Sequence, residues 1–175
     1  QVQVRPVHNN FKIFISYYDD KHEMDKSIKH SGKASVDLGI CNLMTIYDPE
    51  GEQKLIKGNT IKSRNHYFNR EMDTLKSEMK KNQNKNTSKQ YYCLLSKRSK
   101  LMQAEMNKVV DAFYENYKTK EEIIVGYNEG WKQDVNMGKK NNRTFYEIPY
   151  RKLLFKLGDK MKKNGIKMTV VEESY

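Results

Sequence analysis

Ala34-Ser35-Val36-Asp37-Leu38-Gly39-Ile40, continuing as Cys41-Asn42-Leu43-Met44-Thr45-Ile46-Tyr47, is the stretch whose reading decides the fold. Side chains alternate sides along an extended segment, so Val36 and Leu38 share one face and Asp37 lies on the other. An acid in the middle of an apolar strand is costly to bury unless it is paired or binds a metal. Gly39 removes a side chain beside that acid and lets a backbone or a ligand come close. A second apolar strand follows and ends at Asp48-Pro49-Glu50-Gly51, where Asp, Pro and Gly at the first, second and fourth positions fit a type I turn. Gln53-Lys54-Leu55-Ile56 then returns as a third strand. From residues 34–40 alone, the simplest reading of Asp37 is a strand-end cap or a surface salt bridge.

Before this meander, residues 1–7 alternate Val2, Val4 and Val7 with polar residues. Asn9-Asn10 is a turn signal, and residues 11–18 form a second strand. The two make a hairpin of a β-rich module, and the polar, charged run from Asp19 to Gly32 reads as a linker. After the meander, Phe68, Met72, Leu75 and Met79 step by 4, 3 and 4, the apolar stripe of a helix over residues 60–81. Residues 80–88 are a polar break. A longer helix covers 89–118, where Tyr91, Leu95, Met102, Met106, Val109, Phe113 and Tyr117 keep the helical step apart from a gap at Arg98. The pair reads as an antiparallel hairpin inserted between strands, its methionines serving as core packing.

Ile123-Ile124-Val125 is a short buried strand, and residues 128–144 form a long polar loop rich in bases. Pro149 suits the first turn of a helix that turns Leu153, Leu154, Leu157 and Met161 inward, with Gly165 as its C-terminal stop. Residues 166–171 are the final strand, ending in Glu172-Glu173-Ser174-Tyr175. Strands, helices, strand, helix, strand is an α/β pattern.

The 175 residues suffice for one medium domain. Hydrophobic residues are 37% and charged residues 31%, so a core is possible beneath a strongly charged surface. Net charge +11 and pI 9.4 point to a polyanionic partner, nucleic acid before a lipid surface. No apolar run approaches the ~20 residues of a spanning helix, and no signal peptide is seen. Cys41 and Cys93 form no CxxC pair and read as reduced thiols of an intracellular, cytoplasmic protein, nuclear in a eukaryotic or viral host. His8, His22, His30 and His66 have no ligand-like spacing. The first residue is Gln and the last ones lie at an apparent strand, so the chain is expected to be a piece of something longer.

Three features then belong together: Asp37 in the first strand of the sheet, a Glu pair ending the last, and the basic surface. Nucleases that use two metal ions need carboxylates converging on Mg²⁺ or Mn²⁺ ions ~4 Å apart, and neighbouring strand ends can supply them. Residues 35–40, Asn42-Leu43-Met44-Thr45 and Leu55-Ile56-Lys57-Gly58 resemble the first nuclease motif of the TnpB family, transposon-associated proteins also called OrfB transposases. Residues 124–133, 136–142, Phe145 and 148–153 resemble a variant of its middle region, and Gly165-Ile166-Lys167 leading to 172–175 resembles the segment before its zinc ribbon. The likeness runs over nearly all of residues 33–175. The opening hairpin is similar to the end of the family's β-barrel wedge domain.

That resemblance implies an α/β, RNase H-like (RuvC-like) mixed sheet with an inserted helical hairpin, preceded by a β-hairpin from a wedge domain. Residues 1–29 would be the end of the wedge, or oligonucleotide-binding, module and its linker, and residues 30–175 a partial nuclease domain. It implies an RNA-guided, divalent-metal-dependent DNA endonuclease, with guide RNA and target DNA as partners and Mg²⁺ or Mn²⁺ as cofactor. Asp37 carries over as the first metal-binding, catalytic carboxylate. The commoner pattern places the second acid directly after the apolar run 123–125, where this chain has Gly126. The chain instead resembles a rearranged variant in which a Glu of the following strand substitutes. Glu173 is chosen because it shares a face with Lys167, Thr169 and Val171, whereas Glu172 continues the more apolar face of Ile166, Met168 and Val170. The family's zinc ribbon and third catalytic Asp are not in these residues. No robust cleavage is therefore expected of them alone, and the competing expectation is a non-catalytic nucleic-acid-binding remnant.

Lys54, Lys57, Lys62 and Arg64 flank the third meander strand and the next helix, and Lys132, Lys139, Lys140 and Arg143 crowd the long loop. These clusters could follow phosphates of a guide–target duplex. Tyr127 and Trp131 read as loop anchors to the core. A structural α/β domain whose charge serves only solubility is the third expectation.

Overall fold

The computed structural model describes residues 1–7, 10–18, 27–83, 87–128, 143 and 147–172. Strands β1 (Val2–Val7) and β2 (Asn10–Ile15) form an antiparallel hairpin. Asn10 is the first residue of β2, paired with Val7, rather than part of the turn. The second strand stops at Ile15, short of Tyr18, because its last ladder partner is Val2 and the opposite strand runs out at Gln1, which exchanges hydrogen bonds with Ser16. Directly opposed residues point to the same side, so the pairs Val2/Ile15, Val4/Ile13 and Pro6/Phe11 make one apolar face. That face is exposed, and a lone hairpin is marginally stable without a covering surface.

Among the described residues, the remaining strands are β3 (Lys33–Asp37), β4 (Asn42–Tyr47), β5 (Lys54–Lys57), β6 (Glu122–Gly126) and β7 (Lys167–Val171). They form one mixed sheet in the order β5-β4-β3-β6-β7. The β3–β4–β5 meander is antiparallel, and β6 and β7 add parallel to β3. The Asp48 turn forms as its residues dictate: Gly51 N–H reaches Asp48 O at 3.4 Å, and the Glu50 N–H donates to Asp48 Oδ1 at 3.0 Å.

Among the described residues, helices α1 (Asn59–Gln83), α2 (Lys89–Tyr117) and α3 (Tyr150–Lys163) join the strands. Helix α2 starts at Ser88, whose Oγ accepts the Tyr91 N–H at 3.1 Å. Helix α3 ends on Gly165, with φ +76°. Ile166 N–H donates to Met161 O and Gly165 N–H to Lys162 O, the paired bonds of a Schellman stop, with Met161 and Ile166 both buried. Helices α1 and α2 run antiparallel, since Arg64 meets Glu105 while the later Lys76 meets the earlier Tyr91.

The core lies between one face of the sheet and the helices. Ala34, Val36 and Leu38 of the β3 segment, Met44 and Ile46 of β4, and Ile123 and Val125 of β6 pack with Met102, Met106, Val110 and Phe113 of α2 and Leu153, Leu157 and Met161 of α3. The opposite face is open among the described residues, with Ser35, Thr45, Tyr47 and Leu55 exposed. The gap in the α2 stripe at Arg98 is filled by polar bonds. Its guanidinium donates twice to Asn65 Oδ1, at 3.2 and 2.8 Å, and lies 3.8 Å from Glu147.

Candidate metal and nucleic-acid site

Alternation carries Ala34, Val36 and Leu38 into the core and therefore puts Asp37, the last residue of β3, on the open face. Across the sheet Asp37 pairs with Thr45, and one step past the Val36–Val125 pair it falls beside Gly126, which pairs with Val171. Strands β5, β6 and β7 all run parallel to β3, so Lys57, Gly126 and Val171 end at the same edge as Asp37. The carboxylate is exposed and forms no ion pair among the described residues.

The chain reverses immediately beyond it. A Cβ on Gly39 would stand 2.8 Å from Asn42 O, so the close approach expected at this glycine is that of a backbone. The Cys41 carbonyl accepts the Gly58 N–H at 3.1 Å, and the Gly39 carbonyl accepts the Tyr150 hydroxyl at 2.8 Å. Lys62, in the first turn of α1, reaches Cys41 Sγ at 3.6 Å. Two of the expected nucleic-acid-binding lysines, Lys57 and Lys62, thus stand at Asp37's end of the sheet.

The expected arginines are placed otherwise. Arg64 turns to α2 and meets Glu105 at 2.9 Å. Arg143 spans Asp73 at 2.9 and 3.3 Å and Glu147 at 3.3 Å, tying its segment to α1. The hydrogen bond with Asp73 holds the Arg143 guanidinium above its ordinary pKa and the Asp73 carboxyl below its own. Lys54 donates to Asn116 Oδ1 at 2.6 Å. Lys132, Lys139, Lys140, Trp131 and Glu173 lie outside the described residues. Tyr127 packs against the core, as an anchor does. Cys41 and Cys93 are free thiols.

Face assignment along β7 is fixed by Glu122 on its neighbour β6. Its carboxylate contacts Lys33 at 2.7 Å, Lys167 at 2.9 Å and the Thr169 hydroxyl at 2.7 Å. Lys33, Asp37, Lys167, Thr169 and Val171 therefore share one face. Glu172 follows the other alternation, with Met168 and Val170, and lines a 530 Å³ cleft with Tyr127, Arg151, Leu154 and Val170. The Lys33 hydrogen bond, then those of Lys167 and Thr169, depress the Glu122 carboxyl from 4.5 to about 2. The unfolded chain binds that proton more readily, so the interaction stabilises the fold fully above pH 4.5 and is lost as pH falls through about 2. Glu122→Gln is expected to lower the melting temperature at pH 7, and the wild-type and variant temperatures should converge between pH 4.5 and pH 2.

Sequence reasoning missed the buried ammonium of Lys120, which lies 2.7 Å from Asp48 and 3.2 Å from Glu50. It also missed Glu147, which accepts Asn69 Nδ2 at 2.7 Å besides the two arginines. Lys120 and Asp48 are 72 residues apart, and no local pattern links them.

The order β5-β4-β3-β6-β7, with an antiparallel meander followed by two parallel strands and helices against one face, is an RNase H-like sheet. A family model, OrfB_IS605, described as a probable transposase, matches residues 16–132. The chain belongs to the OrfB_IS605 family. This is the OrfB (TnpB) resemblance carried by the motifs around Asp37. Among solved structures, the chain is similar to a protein in the cryo-EM structure of a Cas12f1–sgRNA–target DNA complex, with TM-score 0.51 and 18% identity. The likeness covers 98% of this chain and 41% of that one, so the OrfB chain spans about two-fifths of the Cas12f1 length. Nothing among curated proteins matches the sequence.

Asp37 suits a hard divalent ion, being an accessible oxygen donor with no competing cation in contact among the described residues. It does not close a site unaided: among the described residues no three His, Cys, Asp or Glu side chains converge. No helix among them is long and apolar enough to cross a membrane.

Proposed function

We propose that this chain is the nuclease region of a transposon-associated, RNA-guided DNA endonuclease that hydrolyses phosphodiester bonds with Mg²⁺ or Mn²⁺. The observation that carries the reading is Asp37: an exposed carboxylate with no ion pair among the described residues, ending the central strand of an RNase H-like sheet, in a chain of net charge +11. Asp37 and Glu173 would hold the metal. Glu173 is favoured over Glu172 because Lys167, Thr169 and Val171 share Asp37's face while Glu172 lies on the other alternation. The bound metal would supply an activated water and stabilise the leaving oxygen. The chain's own part is to present carboxylate oxygens at an open strand edge and to attract the polyanion. Lys57 and Lys62 stand where phosphates would approach the acid, and Lys132, Lys139 and Lys140 would add to that charge.

Guide RNA and target DNA are the partners this reading requires; base pairing would supply sequence choice and the protein shape, charge and hydrolysis. Residues 30–175 carry two of the three acids of the TnpB pattern, so cleavage is assigned to a protein that also supplies the third. The test is guide-directed DNA cleavage by the full-length protein in Mg²⁺ or Mn²⁺. Metal-dependent cleavage that Asp37→Ala abolishes supports the reading. Cleavage unchanged by Asp37→Ala overturns it, and salt-sensitive binding without any cleavage favours the non-catalytic remnant.

A further inference from the structure

Helix α3 begins with a tyrosine whose hydroxyl ends behind the candidate metal edge. Tyr150 is 1% exposed, follows Pro149 and the equally buried Ile148, and donates to the Gly39 carbonyl at 2.8 Å. Packing alone would be served by phenylalanine; the hydroxyl must be argued from what it holds.

It holds a reversal that its own strands close weakly. The β3–β4 ladder ends at the Asp37–Thr45 pair. Beyond it, the Gly39 N–H reaches Leu43 O only at 3.4 Å, a long bond. The β4–β5 register also shifts between Asn42 and Met44. Among the described residues, three contacts from outside the hairpin secure the turn: Gly58 N–H on the Cys41 carbonyl, Lys62 Nζ on Cys41 Sγ and Tyr150 Oη on the Gly39 carbonyl. Gly39 is two residues from Asp37, with buried Leu38 between them. A shift of the turn is passed directly to the carboxylate. The hydroxyl sits in an apolar, water-poor setting, where a hydrogen bond is stronger than at the surface. Its pKa is raised by burial first and by the charge of Asp37 second.

We propose that Tyr150 is a positioning residue for Asp37: by holding the Gly39 carbonyl it fixes the chain reversal that aims the carboxylate at the shared strand edge. The proposal rests on the nuclease reading and adds to it a residue that touches neither metal nor substrate. Supports of this kind typically set metal affinity about tenfold or more.

The test compares Mn²⁺ affinity, read from the free-ion paramagnetic resonance signal, in the wild-type protein and in Tyr150→Phe, Asp37→Ala and Tyr114→Phe. The last removes a similar half-buried hydroxyl bond, Tyr114 Oη to Asn164 Oδ1 at 2.9 Å, on the far end of α3. Tyr150→Phe is expected to weaken Mn²⁺ binding about tenfold and to speed amide exchange at residues 39–42, while Tyr114→Phe changes neither. Should Asp37→Ala weaken binding while Tyr150→Phe matches wild type, the positioning role is overturned and the nuclease reading stands. Affinity unchanged in Asp37→Ala removes the nuclease reading itself. Should Tyr150→Phe fail to fold, the wild-type protein decides: ion binding and the turn are linked reciprocally, so saturating Mg²⁺ must slow exchange at 39–42, and unchanged exchange overturns the proposal.

Discussion

Asp37→Ala, Glu173→Ala and the double variant are each expected to reduce cleavage by the full-length protein by about 10³-fold or more, with the double no worse than the singles. Loss of several kcal/mol of transition-state stabilisation corresponds to that range. The near-equality is the informative part. Residues that act as one unit in catalysis give non-additive losses, because the first removal already disables the shared centre. Independent strand-end charges would instead add. Asp37 is also the residue for which a purely structural cost is smallest: it is exposed and without an ion-pair partner among the described residues, so its loss should leave the melting temperature nearly unchanged. Guide and DNA binding should persist, or tighten slightly as a negative charge leaves a basic surface. A variant that folds, binds nucleic acid and fails to cleave separates chemistry from assembly. Equal activity of wild type and both single variants would remove the assignment.

Lys120→Ala is expected to cost about 3 kcal/mol of folding stability, because it leaves a buried carboxylate without its partner. The ammonium of Lys120 and the Asp48 carboxylate are both nearly buried, 2.7 Å apart, and Glu50 adds a longer contact at 3.2 Å. Burial alone would raise the Asp48 carboxyl; the hydrogen bond from Lys120 and the Glu50 N–H overcome it and hold the pKa below the ordinary value. The bridge joins the β4–β5 turn to the segment between α2 and β6, two regions that no ladder connects. A fall in melting temperature of about 10 °C is the expected readout. Lys120→Met with Asp48→Asn should recover much of the loss, since both charges then leave together. A single variant as stable as wild type would show that water reaches Asp48 and screens it.

The sheet was legible because its signals are local and agree with one another. Asp37 between Val36 and Leu38, Pro49 and Gly51 in the turn, and Gly165 after α3 each specify a backbone choice that the fold uses. Met102, Met106 and Phe113 announced the buried side of α2 by spacing alone. What the sequence hides is pairing across distance. Arg64 and Arg143 look like any other bases in a basic chain, yet Glu105, Asp73 and Glu147 occupy their guanidiniums. Arg98 broke the apolar stripe of α2 with no local sign that Asn65, at a separation of 33 residues, would accept from it. No local pattern marks Tyr150, because the carbonyl it bonds lies 111 residues away. In each case composition gives the group and only the topology supplies its partner.

Paramagnetic broadening of backbone amide signals during a Mn²⁺ titration measures the shared-ion idea most directly. Broadening centred on Asp37 and extending to Gly126 and Val171, and abolished by Asp37→Ala, is the expected result. Broadening centred on any other part of the sheet, or surviving that substitution, contradicts the account.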